Sequence, residues 1–330
     1  MPKLGKADKK LLEGIVRYRG YPRDEVVVPP DPHTDVGVVR EGKEYRVFAC
    51  DPSLGVPVKD LGFFAFHFPA SDIASSGAVP YLLTSTILLP PETEDEVALS
   101  IARDLHEQSS LYNTSVVTGH TGRYVSVKEP VVVVTLVGKA RHYVSPEDVR
   151  VGDLILQVGY VGAELLYGVA NFRPDLLRKL GVDPSPWTRA RWMLTAIDKA
   201  FTVYSLTEPS FVKDGAEGGL LRVLEDIRGA TGLGYRIWVD RVEYPLELKL
   251  LSKEYGFDPL ASSSSGLLIV IVSRHRPIRF VIENLRYHGY NASVIGEVVK
   301  EGRYLLKGGE VIEPPEEIKD PYTSLLSQEK

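Results

Sequence analysis

Two aspartates in the first half of the chain are candidates for binding a cation. Asp72 lies in the apolar run 63–77, FFAFHFPASDIASSG, where an unpartnered carboxylate is costly to bury. Asp51 precedes Pro52, in the segment that leads into the same run. Carboxylate oxygens are ligands for hard cations, so the two side chains could flank one ion. The alternatives are a salt bridge or helix-end cap for Asp72 and an ordinary Asp-Pro turn for Asp51.

A Gly-rich segment in the second half has the pattern of an anion site. Residues 211–224 read FVKDGAEGGLLRVL, which predicts a strand ending at Asp214, a turn, and a helix from Gly218. Backbone N–H groups and the positive end of the helix dipole then face the turn, which suits a phosphate. Asp214 could bring Mg²⁺ to the same place. A plain Gly-rich turn is an equal alternative.

A second Gly-containing turn is predicted after a strand at 114–118. It carries Gly119, His120 and Thr121. Glycine allows close approach of a ligand to the backbone, and the other two side chains can donate to phosphate oxygens. A histidine with a purely structural role is the simpler alternative.

Several other chemistries lack their motifs. Residues 37–43 have the spacing of a phosphate-binding Walker loop, but Glu44 replaces the required Ser or Thr and the segment reads as a hairpin. The glycine fingerprint of dinucleotide-binding folds and the Gly-x-Ser-x-Gly nucleophile elbow are both absent from the sequence. Cys50 is the only cysteine, which excludes an internal disulfide, and its place in an apolar strand predicts a buried, inert thiol.

Composition predicts a globular protein without nucleic-acid or membrane partners. The 330 residues are 44% hydrophobic, and 39 Lys+Arg against 44 Asp+Glu give a net charge of -5 without long like-charge blocks. Apolar runs fall far short of the roughly 20 residues that span a bilayer. The first ten residues lack the apolar stretch of a signal peptide, so a cytoplasmic location is expected. The sequence has one Cys, two Met and 23 Pro, a composition that favours a thermophilic source.

The elements that must position these residues form two α+β halves. The first half has predicted strands at 36–39, 45–49, 81–89, 114–118 and 130–139, with helices at 59–75 and 92–109. The second has strands at 154–158, 211–214, 235–239, 267–272 and 292–299, with helices across 162–205, from 218, and at 277–288. Each half predicts a mixed sheet with helices on one face. The predicted domains are 1–145 and 146–307, followed by an extended, acidic Pro-rich tail at 308–330.

Taken in order, the motifs resemble those of the aminoimidazole ribonucleotide (AIR) synthase-like superfamily. That superfamily includes the purine enzyme, selenophosphate synthetase, thiamine-monophosphate kinase and hydrogenase maturation protein E. The most specific match is SDIASSGAVP at 71–80, which is similar to Asn-Asp-Leu-Ala-x-x-Gly-Ala-x-Pro. HTDVGVV at 33–39, ACDP at 49–52 and TGHT at 118–121 resemble Gly-Asp-Asp-Ala-Ala-Val, Thr-Thr-Asp and Gly-Gly-His-Thr. KDGAEGG at 213–219 resembles the Asp-x-Thr-(Arg or Glu)-Gly-Gly of the hydrogenase-maturation branch.

The resemblance covers nearly the whole chain and implies a two-domain PurM-like fold. It implies a homodimer that uses ATP and Mg²⁺, acts on a small molecule and works with a maturation partner protein. The implied reaction is phosphoryl transfer to a carbonyl or amide oxygen, where positioning and charge neutralisation supply most of the acceleration. The metal ligands it implies are Asp35, Asp51, Asp72 and Asp214. The phosphate-binding residues it implies are Gly119, His120, Thr121, Gly218 and Gly219, with His120 and Asp214 as the catalytic pair.

Two departures from the family pattern keep alternatives open. His33-Thr34 stands where the family has Gly and a first Asp, which removes one metal ligand. The chain ends SLLSQEK at 324–330, without the terminal Cys that accepts the carbamoyl group in hydrogenase maturation protein E. The alternatives to an ATP-dependent enzyme are a degenerate nucleotide-binding assembly or regulatory factor and a phosphotransferase like thiamine-monophosphate kinase.

Overall fold

A computed structural model describes residue 7 and residues 9–326, which form two compact units. The N-terminal unit consists of residues 18–30 and 35–143. The C-terminal unit consists of residues 31–34, the described chain from 144 onward, and the described part of the first 17 residues. Within these described ranges, every helix is too short or too polar to cross a bilayer.

Both units contain strands and helices. The first described element is α1 (Lys9–Ile15), and the N-terminal unit contains β1 (Val26–Val28), β2 (Gly37–Glu41), β3 (Glu44–Ser53), α2 (Leu61–Ser75), β4 (Val79–Leu89), α3 (Asp95–Leu111), β5 (Ser115–Arg123) and β6 (Val131–Ala140). The C-terminal unit contains β7 (Leu154–Val158), α4 (Ala163–Phe172), α5 (Pro174–Lys179), α6 (Ser185–Thr188), α7 (Ile197–Leu206), β8 (Phe211–Asp214), α8 (Gly219–Thr231), β9 (Gly234–Trp238), α9 (Leu246–Tyr255), β10 (Leu268–Val272), α10 (Ile278–Tyr287), β11 (Ala292–Val299), β12 (Arg303–Lys307), β13 (Glu310–Ile312) and α11 (Pro321–Leu326).

The N-terminal unit is a six-stranded sheet with helices on one face. Its strand order is β1-β2-β3-β6-β4-β5, with β4 and β5 parallel and the other neighbours antiparallel. Along β6, buried and half-buried residues alternate strictly, which is the signature of a sheet covered on one side. The helices α2 and α3 provide that cover. The predicted hairpin is confirmed, since Gly37 pairs with Phe48 across β2 and β3.

The C-terminal unit is a seven-stranded sheet in the order β13-β12-β9-β11-β7-β10-β8. All five residues of β10 are buried, so this sheet is covered on both faces near its centre. The prediction of helices on one face is therefore wrong for this half. On one side, Leu220 and Leu224 of α8 share a core with Ile269.

Three local predictions are also wrong. The predicted turn at 119–122 lies inside β5, whose residues pair with β4, Ser85 with Gly119 among them. Asp51 lies within β3 rather than at its end, because that strand continues to Ser53. Cys50 is exposed, since it points to the sheet face that the helices leave open; its sulfur accepts a hydrogen bond from Thr135 Oγ1 at 3.2 Å.

The segment predicted to be an extended tail contributes ordered structure to the C-terminal unit. β13 pairs with β12, and the short helix α11 follows it. Pro321 and Leu325 of α11 are buried. Composition misled here because the acidic, Pro-rich stretch at 313–320 is followed by a few apolar residues that have a place to pack. Residues 327–330 lie outside the described part of the chain.

Candidate cation and anion sites

Two of the predicted metal ligands lie close together in the N-terminal unit. Asp35 comes two residues before β2, and Asp72 lies in the last turn but one of α2. One carboxylate oxygen of Asp35 is within 4.8 Å of one carboxylate oxygen of Asp72, and neither side chain is fully buried. Like charges at this distance repel each other unless a cation or proton lies between them. The two oxygens could serve as ligands of one cation.

Helix α2 is held firmly enough to fix the position of Asp72. In the first turn of α2, the Phe63 N–H donates a hydrogen bond of 3.0 Å to the side chain of Asp104 on α3. Gly62 allows the two helices to touch, because a Cβ there would lie 2.4 Å from the Ile101 carbonyl oxygen. One turn on, His67 Nε2 and Gln108 Oε1 lie 3.2 Å apart in a buried contact. The helix that carries Asp72 is thus anchored along its length.

Asp51 lies on the strand that runs beside Asp35. Since Gly37 pairs with Phe48 in antiparallel register, the residues just before β2 run alongside the part of β3 that contains Asp51. The Asp51 side chain is half-buried, and its residue pairs with Val134 of β6 on the other side. Asp35 and Asp51 therefore lie at the same end of the sheet, and α2 brings Asp72 near Asp35.

The carboxylate pair suits Mg²⁺ in its donor atoms and spacing. Magnesium takes hard oxygen ligands at about 2.1 Å, which sets opposite ligand oxygens about 4 Å apart. The Asp35 and Asp72 oxygens lie within 4.8 Å of each other, which is close enough for both to reach one ion after a small adjustment of the side chains. A soft metal is disfavoured, because the cluster holds carboxylates and no thiolate or imidazole.

The predicted phosphate ligands of the N-terminal unit lie on an exposed edge strand. Gly119, His120 and Thr121 are exposed on β5, the last strand of the sheet. His120 Nε2 lies 2.6 Å from the hydroxyl oxygen of Tyr124, which orients the imidazole. These residues present backbone and side-chain donors to solvent in a row.

The Gly-rich segment of the C-terminal unit has the strand, turn and helix order that its sequence predicts. β8 ends at Asp214, which is half-buried, and α8 begins at Gly219. Gly218 and Gly219 have φ angles of 78° and 55°, in the left-handed region that favours glycine. A Cβ at Gly219 would lie 2.3 Å from the Ser262 carbonyl oxygen, so the turn requires glycine for space as well.

Sequence reasoning missed a carboxylate at this turn. The Gly218 N–H donates a hydrogen bond of 2.6 Å to Asp320 Oδ2, and Asp320 also accepts from the Ser263 hydroxyl at 2.6 Å. Asp320 comes from the segment before α11, 102 residues further along the chain. No local sequence signal could have revealed this contact, because it depends on where the end of the chain packs.

Glu164 is a second carboxylate near the turn that the sequence analysis did not single out. It lies in the first turn of α4 and accepts hydrogen bonds of 2.9 Å from both the N–H and the hydroxyl of Ser265. Burial, together with the charges of Asp320 and Glu217, raises the pKa of Glu164 to about 7 against the effect of those hydrogen bonds. The turn is thus surrounded by acidic groups.

Comparison with known proteins identifies the class to which this fold and these residues belong. Residues 33–140 match the profile of the AIR synthase related protein, N-terminal domain, and residues 190–308 match that of the C-terminal domain. Together these ranges cover about two thirds of the chain. The chain belongs to the AIR synthase related protein family.

Its curated relatives place it with the hydrogenase-maturation branch of that family. It is 25% identical over 277 residues to a putative hydrogenase expression/formation protein of Methanocaldococcus jannaschii, covering 81% of this chain and 80% of that protein. It is 23% identical over 267 residues to the carbamoyl dehydratase HypE of Escherichia coli, covering 79% of this chain and 76% of that protein.

Three solved structures share the fold. A HypE–HypF complex matches with a TM-score of 0.73 and 18% identity, covering 93% of this chain and 100% of that one. HypE in complex with ATP matches with a TM-score of 0.68 and 17% identity over 96% and 97% of the two chains. AaThiL complexed with AMPPCP and TMP matches with a TM-score of 0.69 and 17% identity over 92% and 93%.

Proposed function

We propose that this protein is an ATP- and Mg²⁺-dependent enzyme that activates a carbonyl or amide oxygen of a small molecule by phosphorylation. The observation that carries the proposal is the pair of carboxylates, Asp35 and Asp72, within 4.8 Å in a domain of the AIR synthase family. The name carbamoyl dehydratase for a relative and the ATP and AMPPCP complexes of proteins with the same fold support it.

The proposed reaction transfers the γ-phosphoryl group of ATP. The bond between the γ-phosphorus and the oxygen that bridges it to the β-phosphate breaks, a bond to the acceptor oxygen forms, and ADP leaves. In the N-terminal unit, Asp35, Asp51 and Asp72 are the proposed ligands of Mg²⁺, which when bound would neutralise phosphate charge, and the side chains of His120 and Thr121 are proposed phosphate contacts, with Gly119 allowing close approach. In the C-terminal unit, Asp214 is a proposed ligand of Mg²⁺, and the N–H groups of Gly218 and Gly219 are proposed phosphate contacts.

The first test is thermal unfolding of the full chain with ATP, with and without Mg²⁺. A ligand that binds only the folded state raises Tm, and saturating Mg²⁺–ATP should raise it by about 5 °C or more. Asp51→Asn should reduce the rise, because it removes one proposed ligand charge beside Asp35. An equal rise without Mg²⁺, or none in the wild type, contradicts the proposal.

A nucleotide-binding factor without turnover is the second candidate. His33 replaces the usual family residue and packs against α8, with its ring where a Cβ on Gly229 would lie and Nδ1 3.8 Å from Asp226. The His33 side chain is thus used for packing against α8, which favours a structural role for this segment over phosphate binding. ADP release measured over a panel of carbamoyl, carboxyl and phosphorylated metabolites separates the candidates: turnover with any of them excludes the factor. Production of thiamine diphosphate from thiamine monophosphate would identify the kinase-like alternative.

We further propose that the protein is a homodimer formed through the open face of the N-terminal sheet. Phe48, Val79 and Tyr81 are exposed on that sheet, and the adjoining β5 is an edge strand exposed along nearly its whole length. Exposed apolar faces and bare strand edges both favour association. Since the HypE–HypF complex shares the fold, a maturation partner is a second proposed occupant of the protein's surface.

Sedimentation should therefore give a dimer for the wild type and a monomer for Phe48→Asp. The charged side chain would be desolvated in a dimer interface, which is costly without a partner. Phe280→Asp is the matched control, because Phe280 is equally an exposed phenylalanine but lies on α10 of the other unit. A monomeric wild type, or a dimeric Phe48→Asp, would refute this interface.

A further inference from the structure

The end of the described chain is tied to the Gly-rich turn through one side chain. Asp320 Oδ2 accepts from the Gly218 N–H and the Ser263 hydroxyl, each at 2.6 Å. Asp320 Oδ1 accepts from the Tyr322 N–H at 2.9 Å and, at 3.4 Å, from the Ser263 N–H. Backbone N–H groups and a hydroxyl arranged around one carboxylate make an anion-binding concavity, and here the anion belongs to the protein itself.

Asp320 stands in for a cap that α8 lacks. Helix starts are usually capped by a side-chain oxygen of the residue at the N-cap, but Gly218 holds that position and has no side chain. A negative charge is favourable at this end of the helix because of the helix dipole. A bound phosphate would draw on the same N–H groups and the same dipole, so Asp320 and a phosphate cannot both hold the turn.

The rest of the segment packs against the C-terminal unit. Residues 318–326, which we call the strap, bury Pro321 and Leu325 and place the Tyr322 ring against Gly168 of α4. The Leu325 carbonyl accepts a long bond of 3.4 Å from Arg173. Docking also brings the Asp320 charge near Glu164 and Glu217, and this raises the pKa of Glu164. The hydrogen bonds of Asp320 and the burial of Pro321 and Leu325 thus hold the strap in place against electrostatic repulsion from the nearby carboxylates.

We infer that the strap is an intramolecular competitor at the Gly-rich turn, with Asp320 occupying the place of a ligand phosphate. The inference deepens the proposed function, on which it rests for the identity of the ligand, and assigns a regulatory role to the end of the chain. Polyphosphate ligands must displace Asp320 to reach the N–H groups at the start of α8. A change that stabilises the docked strap should lower the affinity for polyphosphates, and a change that releases the strap should raise it.

The test is calorimetric titration of inorganic tripolyphosphate, without Mg²⁺, into the wild type and three variants. Asp320→Ala should bind about tenfold more tightly than the wild type, since a capping interaction and a like charge no longer compete. Ser324→Ala is the matched control, because its hydroxyl bonds only the Pro321 carbonyl within α11. It should bind as the wild type does. Asp320→Asn keeps the shape of the side chain and loses its charge, so its affinity should lie between those of the wild type and Asp320→Ala. It replaces Asp320→Ala in the comparison if the alanine variant folds poorly.

Hydrogen exchange supplies a second readout that a purely structural cap would not give. Tripolyphosphate should speed exchange at the strap amides, residues 322–326, in the wild type while it protects the first amides of α8. The inference is wrong if Asp320→Ala and Asp320→Asn bind tripolyphosphate as tightly as the wild type or more weakly, or if none of the four proteins binds it. Without Mg²⁺ the result is independent of Asp35 and Asp72. Tighter tripolyphosphate binding by Asp320→Ala without any Mg²⁺–ATP effect therefore rejects the proposed function and keeps the strap.

Discussion

Replacing Asp72 by Asn is expected to abolish Mg²⁺-dependent binding of ATP while leaving the fold intact. The amide has nearly the same shape as the carboxylate, so the anchored helix α2 has no steric reason to move. What is lost is one of two negative charges whose oxygens lie within 4.8 Å of each other. Magnesium binds few protein ligands and depends on their charge, so we expect affinity for Mg²⁺–ATP to fall by about 100-fold or more.

Three measurements separate this loss from damage to the fold. Without ligand, Asp72→Asn should melt at the wild-type temperature or slightly above it, because repulsion from Asp35 is relieved. With Mg²⁺–ATP, the wild type should gain thermal stability and the variant should not. ADP release with any active acceptor should fall in parallel. Asp24→Asn is the control, since Asp24 is an exposed aspartate of the same unit. A variant that retains the Mg²⁺-dependent gain would remove Asp72 from the site.

The parts of the fold that could be predicted from sequence are those governed by local periodicity. The run of β-branched residues in β6 and the length of the apolar run in α2 each favour one type of element, and both elements are present as predicted. The glycines at 218 and 219 likewise predict a strand-to-helix turn before any tertiary contact is known. The sequence pattern also placed Asp72 on a helix and paired it with Asp51, whereas Asp35, whose carboxylate lies near Asp72 in the structure, was named only through the family resemblance.

The parts that could not be predicted depend on packing between distant segments. Gly119, His120 and Thr121 suggested a turn, but pairing with β4 keeps them in a strand. Cys50 suggested a buried thiol, because sequence alone does not reveal which face of β3 the helices cover. Asp320 lies 102 residues from the N–H group that it caps, and its acidic, Pro-rich surroundings are typical of a disordered tail. Functional surfaces are set by such long-range contacts more than by local pattern.

A buried lysine of the C-terminal unit carries the second large expected effect. Lys199 of α7 donates hydrogen bonds of 2.8 Å to the carbonyl oxygens of Met193, Thr195 and Gly266. The ammonium form supplies three N–H donors, one for each carbonyl, and the neutral amine supplies two. These hydrogen bonds connect the chain before α7 to Gly266, two residues before β10. At Gly266 φ is 84°, and a Cβ would lie 2.1 Å from the Met193 carbonyl oxygen.

Lys199→Met is therefore expected to lower the free energy of unfolding by roughly 3 kcal/mol, because three carbonyls lose their partner at about 1 kcal/mol or more each. The methionine fills much of the same volume, so a cavity is not the cause. Lys249→Met, at an exposed position of α9, is the control and should change stability little. Chemical denaturation of both variants measures the difference, and equal losses would show that the three carbonyls find other partners.

The pH dependence of stability gives the same prediction an independent check. Burial lowers the pKa of Lys199 to about 7 from its ordinary value of 10.5. Between pH 7 and 10.5 the unfolded chain then binds a proton that the folded chain does not, so this residue makes stability rise with pH across that window. Lys199→Met should remove that rise, and its deficit against the wild type should be larger at pH 9 than at pH 7. A deficit that does not change with pH would mean that Lys199 keeps its proton throughout, and that its three hydrogen bonds outweigh burial.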